Sequence, residues 1–330
     1  MKTFSIADTV LKNRYVEAPL AGFSDVAMRI LAARFGAGLV YTEMISAAAL
    51  SRGSLETINM VKETKRDEAP VALQLFGSDE EELKKAIKVC EENGRYNFLD
   101  FNIGCPVPKV MKQDAGSHLL TDLDKVYRLV KAMVDTSQVP VIVKSRLGYS
   151  NPEDCVKIVD VLQSAGVSAI AMHGRTRNEF YLGLPHYDLL KKAKEESKVP
   201  FIANGNIGVD NALEILAETG ADAVMLGRKA IGNPMVFKQL IAREEGEPIP
   251  QLTLQNQVEL MKEQLELEYS REVPPERISV EFRAAAPAFF QGFPNSRKIR
   301  SLLVKCSCKE NYIDALNKIV EHRIDEDNKD

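Results

Sequence analysis

Eight short apolar runs, six of them with a group near their end that can hydrogen-bond or titrate, constrain this chain more than any other feature. They are Tyr15–Leu20, Leu39–Thr42, Val71–Phe76, Phe98–Asn102, Val141–Ser145, Ala169–His173, Phe201–Asn204 and Ala223–Leu226. Continuous runs of four to six Val, Ile, Leu and Ala residues, without polar alternation, suit strands covered on both faces in a parallel sheet. Amphipathic stretches lie between them. In Asp122–Val134, Leu123, Val126, Tyr127, Val130, Met133 and Val134 keep one helical face behind Thr121 and Asp122, which suit a helix start; Ala212, Leu213, Leu216 and Ala217 do the same in Asp210–Thr219. Eight strand-then-helix units predict an α/β fold, a (β/α)8 TIM barrel, with a doubly wound open sheet as the rival.

The run ends favour the barrel. Gln74, Asn102, Lys144, His173, Asn204 and Arg228 stand within two residues of the ends of their runs. A barrel gathers strand ends into one mouth, whereas an open sheet spreads them along an edge. Near Gly246–Pro250 the rhythm stops: Pro248 and Pro250 interrupt the chain, and Val258, Met261 and Leu265 open a helical region without further strand runs. The expected organisation is a barrel over 1–246 and a small all-helical domain over 251–330, ending in a charged tail, RIDEDNKD.

Composition excludes several classes. With 45% hydrophobic and 27% charged residues the chain is long enough for one large domain and an appendage. No stretch approaches the ~18 apolar residues of a membrane span, and the N-terminus lacks the apolar core of a signal peptide, so a cytoplasmic protein without a membrane partner is expected. Cys90, Cys105, Cys155, Cys306 and Cys308 are odd in number and form no paired CxxC units, which argues against a disulfide framework and against a metal site. The net charge of −4 hides a basic segment, Asn295–Lys309, with five Lys or Arg and no acid. There is no G-x-G-x-x-G after a strand, no G-x-x-x-x-G-K-[ST], no HExxH and no GxSxG.

Two glycine loops point to phosphate. NGNIG follows the seventh run and GRKAIGNP the eighth, and the loops after barrel strands seven and eight often hold a phosphate on backbone amides. Asn204, Gly205 and Asn206 with Gly227 and Arg228 therefore form a candidate phosphate grip. Lys144 and His173 at neighbouring strand ends, with Gln74, suit a ligand with carbonyl and ring-nitrogen acceptors; a flavin fits, because a cation near its ring stabilises the anionic reduced form.

Cys90 and Cys155 share apolar helix faces and read as small buried hydrophobes. Cys105 has no such face. It lies between Gly104 and Pro106, just past the fourth run, in FLDFNIGCPVPKVMKQDAGSHLL. Its ordinary thiol pKa of about 8.5 leaves it protonated at neutral pH and able to act as an acid; a nucleophile would need that value lowered, which Lys109 could do, so both roles stay open here.

The ordered set EAPLAGFSD, LQLFG, DFNIGCPVPKVMKQDAGSHLL, VKSRLG, HGRTR, ANGNIG and MLGRKAIGNP resembles the tRNA-dihydrouridine synthases, over about Arg14 to Arg300. That resemblance implies an FMN-bearing barrel with a helical tRNA-binding domain, with electrons from NADPH or NADH. It implies that Pro19, Leu20 and Ala21 line the flavin, that Gln74 and Lys144 bond its ring with His173 close by, and that Asn204, Gly205, Asn206, Gly227 and Arg228 hold its phosphate. Cys105 would donate a proton, and Asn102, Arg146 and Tyr181 match positions that meet the target uracil. In FRAAAPAFFQGFPNSRKIR, Arg283 is followed by alanines where the family carries lysine and histidine, while Arg297, Lys298 and Arg300 remain to meet phosphates. The alternatives carried forward are a dihydroorotate or dihydropyrimidine dehydrogenase-like enzyme acting on a free pyrimidine, and a non-catalytic RNA-binding protein.

Overall fold

The computed structural model describes residues 2–321; the charged tail expected from the sequence lies outside them. Eight parallel strands form the barrel: β1 (Tyr15–Glu17), β2 (Val40–Tyr41), β3 (Val71–Phe76), β4 (Phe98–Asn102), β5 (Val141–Arg146), β6 (Ala169–His173), β7 (Phe201–Asn204) and β8 (Ala223–Leu226). Neighbours in sequence pair from β2 round to β8, and β8 returns to β1 through Val224 with Tyr15 and Leu226 with Glu17. The circle closes where Glu17 N–H donates to Leu39 O at 2.9 Å. The first run is shorter than expected because Pro19 has no N–H to give to a ladder.

Both faces of these strands are buried, which is why the sequence shows no polar alternation, yet inside and outside still alternate. Ala72, Phe98, Ile142, Ala169, Ile202 and Ala223 fill the interior near the strand starts. Two or four residues on, the interior positions turn polar: Gln74, Asp100, Asn102, Lys144, His173 and Asn204. The apolar end is stoppered by a short antiparallel hairpin, Phe4–Ile6 with Thr9–Leu11, whose Ile6 and Leu11 are fully buried in that interior cluster. Each such side chain contributes about 2 kcal/mol on burial.

Helices α1 (Val26–Arg34), α2 (Leu55–Glu63), α3 (Glu80–Asn93), α4 (Leu123–Thr136), α5 (Cys155–Ala165), α6 (Tyr187–Glu196), α7 (Ala212–Thr219) and α8 (Val236–Glu245) cover the outside. Asp25, Asp79 and Asp122 cap α1, α3 and α4 by accepting the N–H of Met28, Glu82 and Lys125. Cys90 and Cys155 are buried under this layer, as expected.

The C-terminal region is helical: α9 (Leu254–Tyr269), α10 (Pro275–Ala285), α11 (Ser296–Leu303) and α12 (Lys309–Val320). It has its own apolar cluster, centred on Met261, Leu265, Phe282, Phe289, Phe290, Leu303, Tyr312 and Leu316. Two devices join it to the barrel. Arg271, 8% exposed, donates to Glu63 at 2.9 Å and Glu268 at 2.9 Å and pairs with Asp25 at 3.4 Å. Gly232, past the end of β8, lets the backbone of Ala288–Phe289 approach so closely that a Cβ there would lie 2.4 Å from Phe289 N. The side chain of Gln257 spans this contact, donating to Gly232 O and Phe289 O.

Candidate active site

The polar strand ends converge on one mouth, and they are wired together. Asp100 on β4 accepts from Gln74 Nε2 on β3 at 2.6 Å; Gln74 Oε1 accepts from Asn102 Nδ2 at 2.8 Å. Asn102 Oδ1 then accepts the backbone N–H of Gly104 at 3.1 Å and of Cys105 at 2.9 Å. When ionised, Asp100 only accepts and so fixes the donor end of Gln74, which in turn fixes the amide of Asn102. Burial, opposed by the bond from Gln74 and by Lys144, pushes the Asp100 carboxyl up to about 7.

Cys105 sits at the rim of this floor, partly exposed. Its carbonyl accepts from Ser117 N at 3.0 Å and Ser117 Oγ at 2.8 Å. Gly116, at φ +61°, makes that fold-back possible, since a Cβ there would stand 2.8 Å from Cys105 O. The AGS of the motif is thus the other half of the cysteine loop. Burial raises the Cys105 thiol above its ordinary value, against weaker pulls from the Val107 amide, Arg146 and Lys144. The balance leaves a protonated thiol at neutral pH. The cations acting on it stand at the end of β5, while Lys109 is exposed on the loop.

Lys144 donates to Asn204 Oδ1 at 3.2 Å, and Asn204 is oriented by its own bond to Met225 O at 2.9 Å. Burial, with Arg146 nearby, pushes the Lys144 ammonium down to about 8. His173, 8% exposed, is held neutral by burial and by Lys144, Arg146, Arg175 and Arg228. Among the described residues its Nδ1 is buried without a partner, and Lys144 has no carboxylate bonded to it. An unpaired ring nitrogen and a cation side by side are what a ring carrying acceptors and donors would satisfy. Gly205 at φ +126° and Asn206 at φ +50° bend the β7 loop across the mouth, and Arg228 reaches Asn206 Oδ1 at 3.2 Å. Leu20 approaches Gly227, bringing the β1 loop with Pro19 and Ala21 to the same side.

Arg146 is more heavily engaged than a free ligand-binding arginine. Its Nε donates to Gly104 O at 2.9 Å, and its Nη1 to Thr176 O and Phe180 O at 2.8 Å each. It ties the cysteine loop to the β6 loop. Tyr181 stands half-exposed above it, with the guanidinium carbons of Arg146 and Arg228 at 5.4 and 5.2 Å from its ring centre.

The family model for dihydrouridine synthase (Dus) matches residues 16–324. The chain belongs to the dihydrouridine synthase family. It is 37% identical to tRNA-dihydrouridine synthase B of Vibrio vulnificus over 78% of this chain and 80% of that one. It is 32% identical to a probable tRNA-dihydrouridine synthase of Aquifex aeolicus, over 91% and 94%. Among solved structures, morphinone reductase in complex with tetrahydroNAD superposes with a TM-score of 0.54 at 14% identity, covering 78% of this chain and 93% of that chain. The old yellow enzyme homologue from Zymomonas mobilis gives 0.55 at 14%, covering 77% and 95%. At that identity these two likenesses speak to the fold alone.

Three parts of the candidate site of this dihydrouridine synthase carry weak or no marks in the sequence. Asp100 sits between Leu99 and Phe101 and shares its strand face with Asn102 two residues on, a parity that could have placed it in the interior beside that amide. Ser117 and Gly116 could have been found from the DAGS turn, which needs a partner for its hydroxyl. The engagement of Arg146 with three backbone carbonyls leaves no local signal at all.

Proposed function

We propose that this dihydrouridine synthase reduces the C5=C6 bond of uridines in tRNA to 5,6-dihydrouridine, with Cys105 as the proton donor. FMN would rest against Pro19, Leu20 and Ala21, with Gln74, Lys144 and His173 at its ring and Asn204, Gly205, Asn206, Gly227 and Arg228 at its phosphate. When bound and reduced by NADPH or NADH, that group would supply hydride chemistry toward C6. Asn102, Arg146 and Tyr181 meet the uracil. Cys105 holds a proton on Sγ and gives it to C5, so the base gains two hydrogens and the thiolate left behind recovers its proton from water. Lys144 carries the positive charge that favours an electron-rich ring. The helical domain, 251–330, positions tRNA on the catalytic barrel, 1–246, in the cytoplasm, using the basic face of α11.

The observation that carries this reading is the Cys105 loop held, through its backbone N–H bond to Asn102, on the same mouth as Lys144 and His173. The test is incubation of the yellow purified protein with NADPH and tRNA devoid of dihydrouridine, followed by position-resolved mass spectrometry. Dihydrouridine at defined positions supports it; turnover of free uracil or orotate with none on tRNA overturns it.

A further inference from the structure

The β6 loop presents an oddity. Four apolar side chains in succession around Gly183 face solvent: Phe180 is 42% exposed, Tyr181 47%, Leu182 77% and Leu184 79%. Exposed leucines are ordinary on a loose loop, but this loop is held firmly. Arg175, itself 1% exposed, donates to Leu182 O at 3.0 Å and Gly183 O at 2.6 Å. Arg146 donates to Phe180 O, and Glu179 accepts from Thr176 N, Thr176 Oγ1 and His186 Nε2. Pro185 packs against Gly205 of the β7 loop. Buried cations are spent on fixing the backbone that carries two nearly bare leucines.

From this we infer that Leu182 and Leu184 form an apolar wedge that enters the RNA stack beside the target uridine and keeps it open. The occupant is nucleic acid rather than protein or lipid on two grounds. Arg146 binds the wedge loop to Gly104 O, one residue from Cys105, so the wedge borders the chemistry. The surrounding charge suits a polyanion with flat apolar faces: Arg228 and Arg146 flank Tyr181, Arg177 lies over Tyr149, Lys109 and Lys112 are exposed on the facing loop, and Glu179 is engaged internally. Apolar side chains inserted between bases, with guanidiniums nearby, are a general way to hold a stack apart, and a base must leave its stack before chemistry can reach it.

The inference rests on tRNA reduction being the activity. Its test uses the flavin-loaded full chain and a tRNA with 2-aminopurine beside the reduced uridine. Saturating wild-type protein, without electron donor, raises the fluorescence as the stack opens. The double variant Leu182→Ser with Leu184→Ser leaves it at the free level and reduces the uridine roughly tenfold or more slowly, in keeping with the cost of unstacking a base. It oxidises NADPH at the wild-type rate, and Leu182→Met with Leu184→Met restores both readouts. Wild-type fluorescence and wild-type reduction in the serine variant overturn the wedge alone. A serine variant that changes only self-association assigns the surface to a second copy and also overturns it. A wild-type protein that reduces no uridine in tRNA overturns the activity and the wedge together.

Discussion

The side-chain oxygen of Asn102 accepts the backbone N–H of Cys105 at 2.9 Å, so the last residue of β4 holds the loop that carries the thiol. The same amide is oriented from behind by Gln74 and Asp100. Proton transfer to a ring carbon tolerates little displacement, so on the proposed role of Cys105 the anchor of its loop would be as consequential as the thiol itself.

Asn102→Ala removes the acceptor of both the Gly104 and Cys105 amides. The expected result is a fall in tRNA reduction of roughly 10- to 100-fold, with oxidation of NADPH by the bound flavin changed by less than about twofold. Stopped-flow measurement of the two half-reactions separates them. A parallel loss in both would place Asn102 in flavin binding rather than in positioning the thiol.

The Cys105 thiol provides a pH test. Its value lies above the ordinary one, so the neutral, acidic form persists at neutral pH and is lost only as pH rises through that raised value. Alkylation of the Cys105 peptide by iodoacetamide, followed by mass spectrometry, is expected to be slow at pH 7 and to climb above about pH 9. Rapid alkylation at pH 7 would indicate a thiolate and contradict the acid role.

Lys144 titrates at about 8 in the protein without flavin. A lowered lysine value means the cation is present below that pH and disappears as pH rises through it. FMN affinity is therefore expected to weaken between pH 7 and pH 9. In Lys144→Met it is expected to be weak and flat over that range, as read by flavin fluorescence. Matching profiles in the two proteins would count against a ring contact.

Much of this architecture was legible in the chain. All eight barrel strands lie within the apolar runs or extend them by one residue, because buried parallel strands are read from uninterrupted hydrophobicity. Gln74, Lys144, His173 and Asn204 stood out as polar groups closing those runs. What stayed hidden depends on distant partners. Asp100 acquires its role from Gln74, 26 residues earlier in the chain. Gly232 matters because Ala288 and Phe289 come against it from the helical region. The N-terminal hairpin has three-residue strands, too short for periodicity to declare them.

Arg271 marks the junction between barrel and helices. Its guanidinium serves Asp25, Glu63 and Glu268 in a setting with little solvent. Arg271→Met leaves those carboxylates facing one another, and the expected cost is about 3–5 kcal/mol, seen as a lower unfolding temperature in calorimetry. Adding Glu268→Gln is expected to recover part of the loss by removing one uncompensated charge. An unchanged unfolding temperature in Arg271→Met would mean the pairs are relaxed by water.

The most direct measurement compares wild-type protein with Cys105→Ala, each loaded with FMN and given NADPH and tRNA devoid of dihydrouridine. NADPH consumption and position-resolved dihydrouridine are followed in the same reaction. Cys105→Ala is expected still to reduce its flavin but to form dihydrouridine roughly 100-fold more slowly or worse, the scale of a lost general acid. Dihydrouridine formed at the wild-type rate without the thiol would contradict the acid role.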